Sequence, residues 1–216
     1  MVVLGMWTSG EETARKAAVD IHNNLDSAIR QQKQKWDASE AEQACSDCHW
    51  PIPTYQAILL HTIFSIMHQN GGALDLDLRF SLPHSKFELL AGLVKSCRKL
   101  GMFHYPNMLS RYREVDVSSF IWVSIEEVKR FDLALYKVCG KLTGLGSGEE
   151  GAIGPGSLLN AEELQFPMPN NCLLWHAVTQ EQWISGFEGT LVDLDDLAQD
   201  TWISNCAGLL EFLFGI

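Results

Sequence analysis

The 216-residue sequence contains no apolar run long enough to cross a bilayer. Its most apolar candidate, residues 57–67, is broken by His61 and falls short of the roughly 18 residues a spanning helix needs. Residues 1–7 are apolar but too short for a secretory leader, and they lack its basic flank. The chain therefore reads as soluble and intracellular, with no membrane partner. It is also poor in cationic clusters: no five basic residues occur in a row, and Lys plus Arg number 16 against 27 Asp plus Glu, a net charge of -11. Such a polypeptide repels phosphate, which excludes unaided binding of nucleic acid.

Catalytic signatures are missing as well. There is no Gly-x-Ser-x-Gly, no phosphate-cradling glycine loop followed by Lys-Ser/Thr, and no His-Glu-x-x-His. The glycines of Gly144-Leu145-Gly146-Ser147-Gly148 have neither the lysine nor a following helix. No nucleophile–base pair is legible, so no catalytic residue is assigned and the chain is read as a non-enzyme. Asp193, Asp195, Asp196 and Asp200 fail as a calcium loop, because Ala198 and Ser204 stand where Gly and Glu are required. Acids at a helix N-terminus account for them.

Six cysteines stand at 45, 48, 97, 139, 172 and 206. Cys45-Ser46-Asp47-Cys48-His49 matches the haem-attachment pattern and half of a zinc site. Covalent haem requires export, which the sequence does not signal, and the other cysteines are scattered too widely for a local zinc module. Reduced, mostly buried thiols are expected, with no metal ligand and no cofactor in the chain. His61 and His68, two turns apart, lack an accompanying Glu-x-x-His and are expected at the edge of a core.

What the sequence has in quantity is helix. Apolar residues make up 46%, and the mean hydropathy of -0.02 is ample for a core. Residues 11–34 show a helical period, with Ser9 and Glu12 as a capping box. Tyr55, Ile58, Leu59, Thr62, Ile63, Ile66 and Met67 repeat at i, i+3, i+4, i+7. Pro83 opens another helix, which Gly101 closes. Residues 117–138 form the longest helix, with Glu126 pairing Lys129 and Arg130 on its wet side. Residues 73–80 alternate as a short strand or a loop, and 140–156 read as a glycine-rich linker. Residues 160–164 make one helical turn, and Pro167 and Pro169 impose an extended path. Helices are expected again over 174–187 and 193–214. The sum is an all-α, irregular multi-helix bundle. Three segments are expected: an N-terminal helix and loop (1–50), a central helical domain (51–190) and a C-terminal helix (191–216). The last ends on the apolar LLEFLFGI and reads as truncated or as a docking tail.

The segment Phe120–Tyr136, FIWVSIEEVKRFDLALY, carries Trp122, Glu126-Glu127 and Lys129-Arg130. Downstream come Leu158-Leu159, Glu162-Glu163-Leu164, Phe166-Pro167-Met168-Pro169 and Leu174-Trp175. In this order they resemble the fungal-specific transcription factor domain, the middle homology region found downstream of zinc-cluster or Cys-Cys-His-His finger modules. The version attached to Cys-Cys-His-His fingers is the more similar. The likeness spans about 55–183, and its signature residues here are Trp122, Glu126, Glu127, Lys129, Arg130, Pro167, Pro169 and Trp175.

That resemblance implies an all-α regulatory domain in the nucleus, acting on RNA polymerase II transcription, often of metabolic genes. Its implied partners are the transcription machinery or regulatory proteins, and a small-molecule effector. The sequence departs from the family pattern in having no zinc finger or basic linker before residue 50, so zinc and direct DNA contact are expected only of a module outside this chain. From the residues alone, Trp122, Phe120 and Phe131 are expected to anchor helix packing. The alternative reading is a helical small-molecule-binding or interaction protein with no transcriptional role.

Overall fold

A computed structural model of the protein describes residues 2–40, 50–69, 82–113, 116–143, 158–169, 172–186, 199–206 and 208. Among these the fold is all-α, with nine α-helices and no strand beyond two isolated bridges. The chain divides into two compact units: residues 1–100 with 141–155, and 101–140 with 156–216. Both units are discontinuous, unlike the three consecutive segments read from the sequence.

The first unit contains α1 (Val2–Thr8), α2 (Glu12–Gln31), α3 (Lys33–Trp36), α4 (Ile52–Gln69) and α5 (His84–Leu100). The capping box expected of Ser9 does not form. Residues 2–8 are themselves helical, and Ser9 Oγ instead donates to the Met6 carbonyl at 2.8 Å as that helix closes. Glu11 takes the N-cap of α2 without a side-chain cap, and Gly10 turns between the helices at φ 83°, where a side chain would be strained.

Helices α4 and α5 supply most of the core here, through Tyr55, Ile58, Phe64, Leu90, Leu93 and Val94. Trp36 fastens the end of α3: its indole donates to the Ile29 carbonyl, and its own carbonyl accepts from the buried Tyr55 hydroxyl, both at 2.9 Å. Beside it Asp37 is almost fully buried and accepts from Ser96 Oγ at 2.9 Å. Burial alone would raise this carboxyl. Hydrogen bonds from Ser39 and Ser96 outweigh it and hold the group below the usual carboxylate range. The close approach needs Gly92, since a β-carbon there would lie 3.2 Å from Asp37 Oδ2 and 3.5 Å from the Trp36 ring.

The second unit contains α6 (Tyr105–Leu109), the body of the 26-residue α7 (Ser118–Thr143), α8 (Cys172–Trp175) and α9 (Gln180–Gly186). Gly101, at φ 70°, follows α5 as the expected helix terminator. The single helix expected over 174–187 is instead two. At the break, Gln182 N donates to Thr179 Oγ1 at 3.3 Å and Val178 N to Gln182 Oε1 at 2.8 Å, a reciprocal cap that starts α9 afresh. Residues 199–201 and 203–206 form 3₁₀ turns rather than part of one long helix.

The Leu-Gln-Phe-Pro segment lies between two other stretches of backbone. On one side Tyr105 N donates to the Gln165 carbonyl at 2.9 Å, and Gln165 N to the Phe103 carbonyl at 2.8 Å. On the other, Ser204 N reaches the Leu164 carbonyl and Ile203 N the Phe166 carbonyl, both at 3.0 Å. Side chains alternate as extended backbone requires: Leu164 and Phe166 are fully buried, whereas Gln165 faces out. Just ahead, Glu163 Oε1 accepts from Asn160 N at 3.0 Å, which closes the expected turn at 161–163.

Cys97 and Cys139 are buried thiols and Cys206 is partly buried. The Cys45–Cys48 pair, the alternating stretch 73–80, most of the glycine-rich linker and Asp193, Asp195 and Asp196 lie outside the described residues.

Candidate functional site

Helix α7 carries most of the signature. Glu126 and Lys129 pair as expected at i and i+3, with Oε1 and Nζ 3.2 Å apart, and Arg130 Nη2 lies 3.4 Å from Glu126 Oε2. The pair is not on a wet face, however. The side chains of Glu126 and Lys129 are each 2% exposed. The expectation failed because a helical period identifies one apolar face, whereas this helix is covered on more than one. Tyr105, at the start of α6, lies beneath the ammonium, with Lys129 Nζ 4.8 Å from its ring centroid. The quadrupole of the ring and the Glu126 carboxylate together replace the water this lysine has lost.

One turn further on, Asp132 is fully buried and neither carboxyl oxygen has a hydrogen-bond partner. Burial pushes its proton affinity well above the ordinary carboxylate range. Asp132 stands four residues after Val128 and three before Leu135, on the buried face of α7 itself, so its position in the helical period already marks it as a core residue of the wrong polarity.

The two signature segments meet at Arg130. Its guanidinium lies 4.5 Å from the centroid of the Trp175 ring, the last residue of α8. Trp122 stands edge-on to Trp183 of α9 at 5.5 Å. Of the three expected anchors, Phe131 is buried, Trp122 is half-buried and Phe120 is 52% exposed. Glu127 is partly exposed, Pro167 is buried and Pro169 is half-buried. Between α7 and the Met168–Pro169 backbone runs an open groove of about 310 Å³, lined by Arg130, Leu133, Ala134, Lys137, Met168 and Pro169.

The first unit contains a separate polar cluster. Asp26 of α2 accepts from Lys86 of α5, lies 3.1 Å from His61 Nε2 of α4, and pairs with Arg30 at 3.0 Å. Burial opposes its ionisation, but the hydrogen bonds from Lys86, Arg30 and His61 prevail and hold the carboxylate ionised well below the usual range. His22 stacks on His61 with centroids 3.9 Å apart, and Ser65 Oγ lies 3.0 Å from His22 Nε2. Burial, then the nearby His61 and Lys86, lowers His22 to about 4; burial likewise lowers His61.

Ser, His and Asp are all present in this cluster, but not in relay. The serine meets one imidazole and the aspartate the other, and Ser65 is only 2% exposed. What the arrangement does is fasten three helices through charge-assisted bonds. His68 packs at the edge, 5.1 Å from the Trp7 ring. No group of three or more metal-ligating side chains occurs among the described residues. None of the described helices is long and apolar enough to cross a membrane. No protein-family model, curated protein or solved structure matches the chain.

Proposed function

We propose that this chain is the regulatory domain of a fungal-type transcription factor that controls RNA polymerase II transcription, metabolic genes among its targets. It acts in the nucleus, through the transcription machinery or other regulatory proteins, and responds to a small-molecule effector. DNA contact and its zinc belong to a module outside these residues, and no catalytic step is assigned.

The observation that carries the reading is the Arg130–Trp175 stack. It supports the resemblance because residues 45 positions apart in the sequence, one from each signature segment, are in contact. The buried Glu126–Lys129 pair adds support, since it makes the acidic-then-basic centre of α7 a packing element rather than a solvated face. A net charge of -11 favours protein partners over duplex DNA.

The test is a reporter assay with the chain fused to a heterologous DNA-binding domain. The fusion is expected to change reporter output relative to the DNA-binding domain alone, and Trp175→Ala to alter that change without loss of protein. Identical output from the fusion and the bare DNA-binding domain would refute the reading. The isolated chain is expected to bind duplex DNA no more tightly than background in a salt-titrated shift assay. The groove beside α7 favours one alternative, a small-molecule-binding protein with no transcriptional role. Saturable ligand binding with a silent fusion would favour it.

A further inference from the structure

We infer that the groove between α7 and Met168–Pro169 binds a small amphipathic organic carboxylate, its head group on Arg130 and its apolar body directed along the helix toward Lys137. Its regulatory meaning rests on the proposed function; its binding chemistry does not.

Acidic residues outnumber basic ones by 27 to 16 over the whole chain. Yet among the described residues the two ionisable groups that line this groove are both cations, Arg130 with its pairing to Glu126 and Lys137 at an exposed position. Arg130 and Lys137 are two helical turns apart, so their α-carbons are separated by roughly 10 Å along the axis on nearly the same face. Between them lie Leu133 and the small side chain of Ala134, an apolar floor with room above it.

The opposite wall is Met168, 46% exposed, and Pro169. An exposed thioether adapts its shape to a bound alkyl or aryl group, and proline keeps the wall rigid. Arg130 is already oriented before any ligand arrives. Trp175 stacks on the guanidinium and Glu126 holds one Nη, which lowers the ordering cost of a two-point carboxylate contact. The volume of about 310 Å³ lies at the small end of ligand sites. It suits a compact organic acid better than a folded protein segment.

The purified chain, ¹⁵N-labelled, would be titrated with octanoate, with 1-octanol as the neutral control and acetate as the head group alone. Octanoate is expected to give saturable shifts centred on 130–137 and 168–169, with Kd about 1 mM or tighter. Octanol and acetate are expected to bind at least about ten-fold more weakly, since each lacks half of the recognition. Lys137→Glu, at an exposed position roughly 10 Å from the head group, is expected to weaken octanoate by about two- to four-fold at low salt, and Ala134→Trp to abolish binding by filling the floor, with circular dichroism unchanged for both.

Absence of saturation at 10 mM octanoate, equal affinity for octanol, or shifts centred outside the groove would each overturn the proposal. So would an undiminished Lys137→Glu response, or an acidic peptide that displaces octanoate and binds more tightly, which would make this a peptide-docking surface. Because the titration needs no DNA-binding module, its failure is distinguishable from a silent reporter fusion.

Discussion

Asp132 gives the second unit a pH dependence whose sign is unusual for a carboxyl group. An aspartate unfolded in water titrates near 3.8, and burial raises the folded value well above that. Between those two values the folded form keeps a proton that the unfolded form has released. Stability therefore falls as pH rises through this window, by about 1.4 kcal/mol per pH unit while the folded group stays protonated.

Asp132→Asn preserves the shape and removes the titration. A neutral acid and an amide are both polar groups without partners at this site, so the two proteins are expected to be similar near pH 4. Above it the variant gains over the natural protein by the same ~1.4 kcal/mol per unit. Hydrogen exchange resolved by peptide, followed across 125–139 from pH 5 to 7.5 and corrected for intrinsic rates, reads the difference. A variant whose advantage does not grow with pH, or shrinks, would show that Asp132 is ionised in the fold and would refute the reasoning.

Three further outcomes are expected. Glu126→Gln should destabilise by about 3–5 kcal/mol by leaving the Lys129 charge buried beside Tyr105, and Glu126→Gln with Lys129→Met should recover most of that; urea melts that add the two single effects would contradict a coupled pair. In the first unit His22 is neutral in the fold at about 4 against 6.5 unfolded, so stability there should fall as pH drops from 6.5 toward 4 and the unfolded chain gains the proton. His22→Phe should flatten that slope, measured as exchange protection across α2, and an unchanged slope would exclude His22 as its source. Gly101→Ala should cost about 1–2 kcal/mol, because φ 70° is strained for any β-carbon and the new methyl would collide with the Asn107 side chain; an unaltered thermal midpoint would argue against that geometry.

The helices α2, α4, α5 and α7 were legible because each repeats apolar residues at the helical period and is bounded by Gly or Pro. Periodicity reports that a face is apolar, but not how many neighbours enclose the helix. For this reason Glu126 and Lys129, read as solvated, are buried, whereas Asp132 lies within the apolar face itself, between Val128 and Leu135, and was legible from its spacing. The break between α8 and α9 was missed because Thr179 and Gln182 act as a cap only when the preceding turn has already left the helix. The His22–His61–Asp26–Lys86 cluster is drawn from three helices spread over 65 residues and shares no local spacing, so only the tertiary arrangement makes it visible. The meeting of Arg130 with Trp175 was not legible, because the order of two segments carries no contact between them, and the groove beside them depends on the path of Met168 and Pro169.

The backbone sandwich at residues 164–167 has a consequence for how this protein is made and handled. Its two flanks, 103–105 and 202–204, are about a hundred positions apart in the sequence. The second unit cannot complete itself during synthesis until the last of these has emerged, and its closure is dominated by distant contacts, which slows folding. An expression boundary placed anywhere between 170 and 198 would leave the carbonyls of Leu164 and Phe166 without their amide donors and uncover two large apolar side chains. Shortened versions should accordingly be recovered as aggregates unless residues 199–206 are retained.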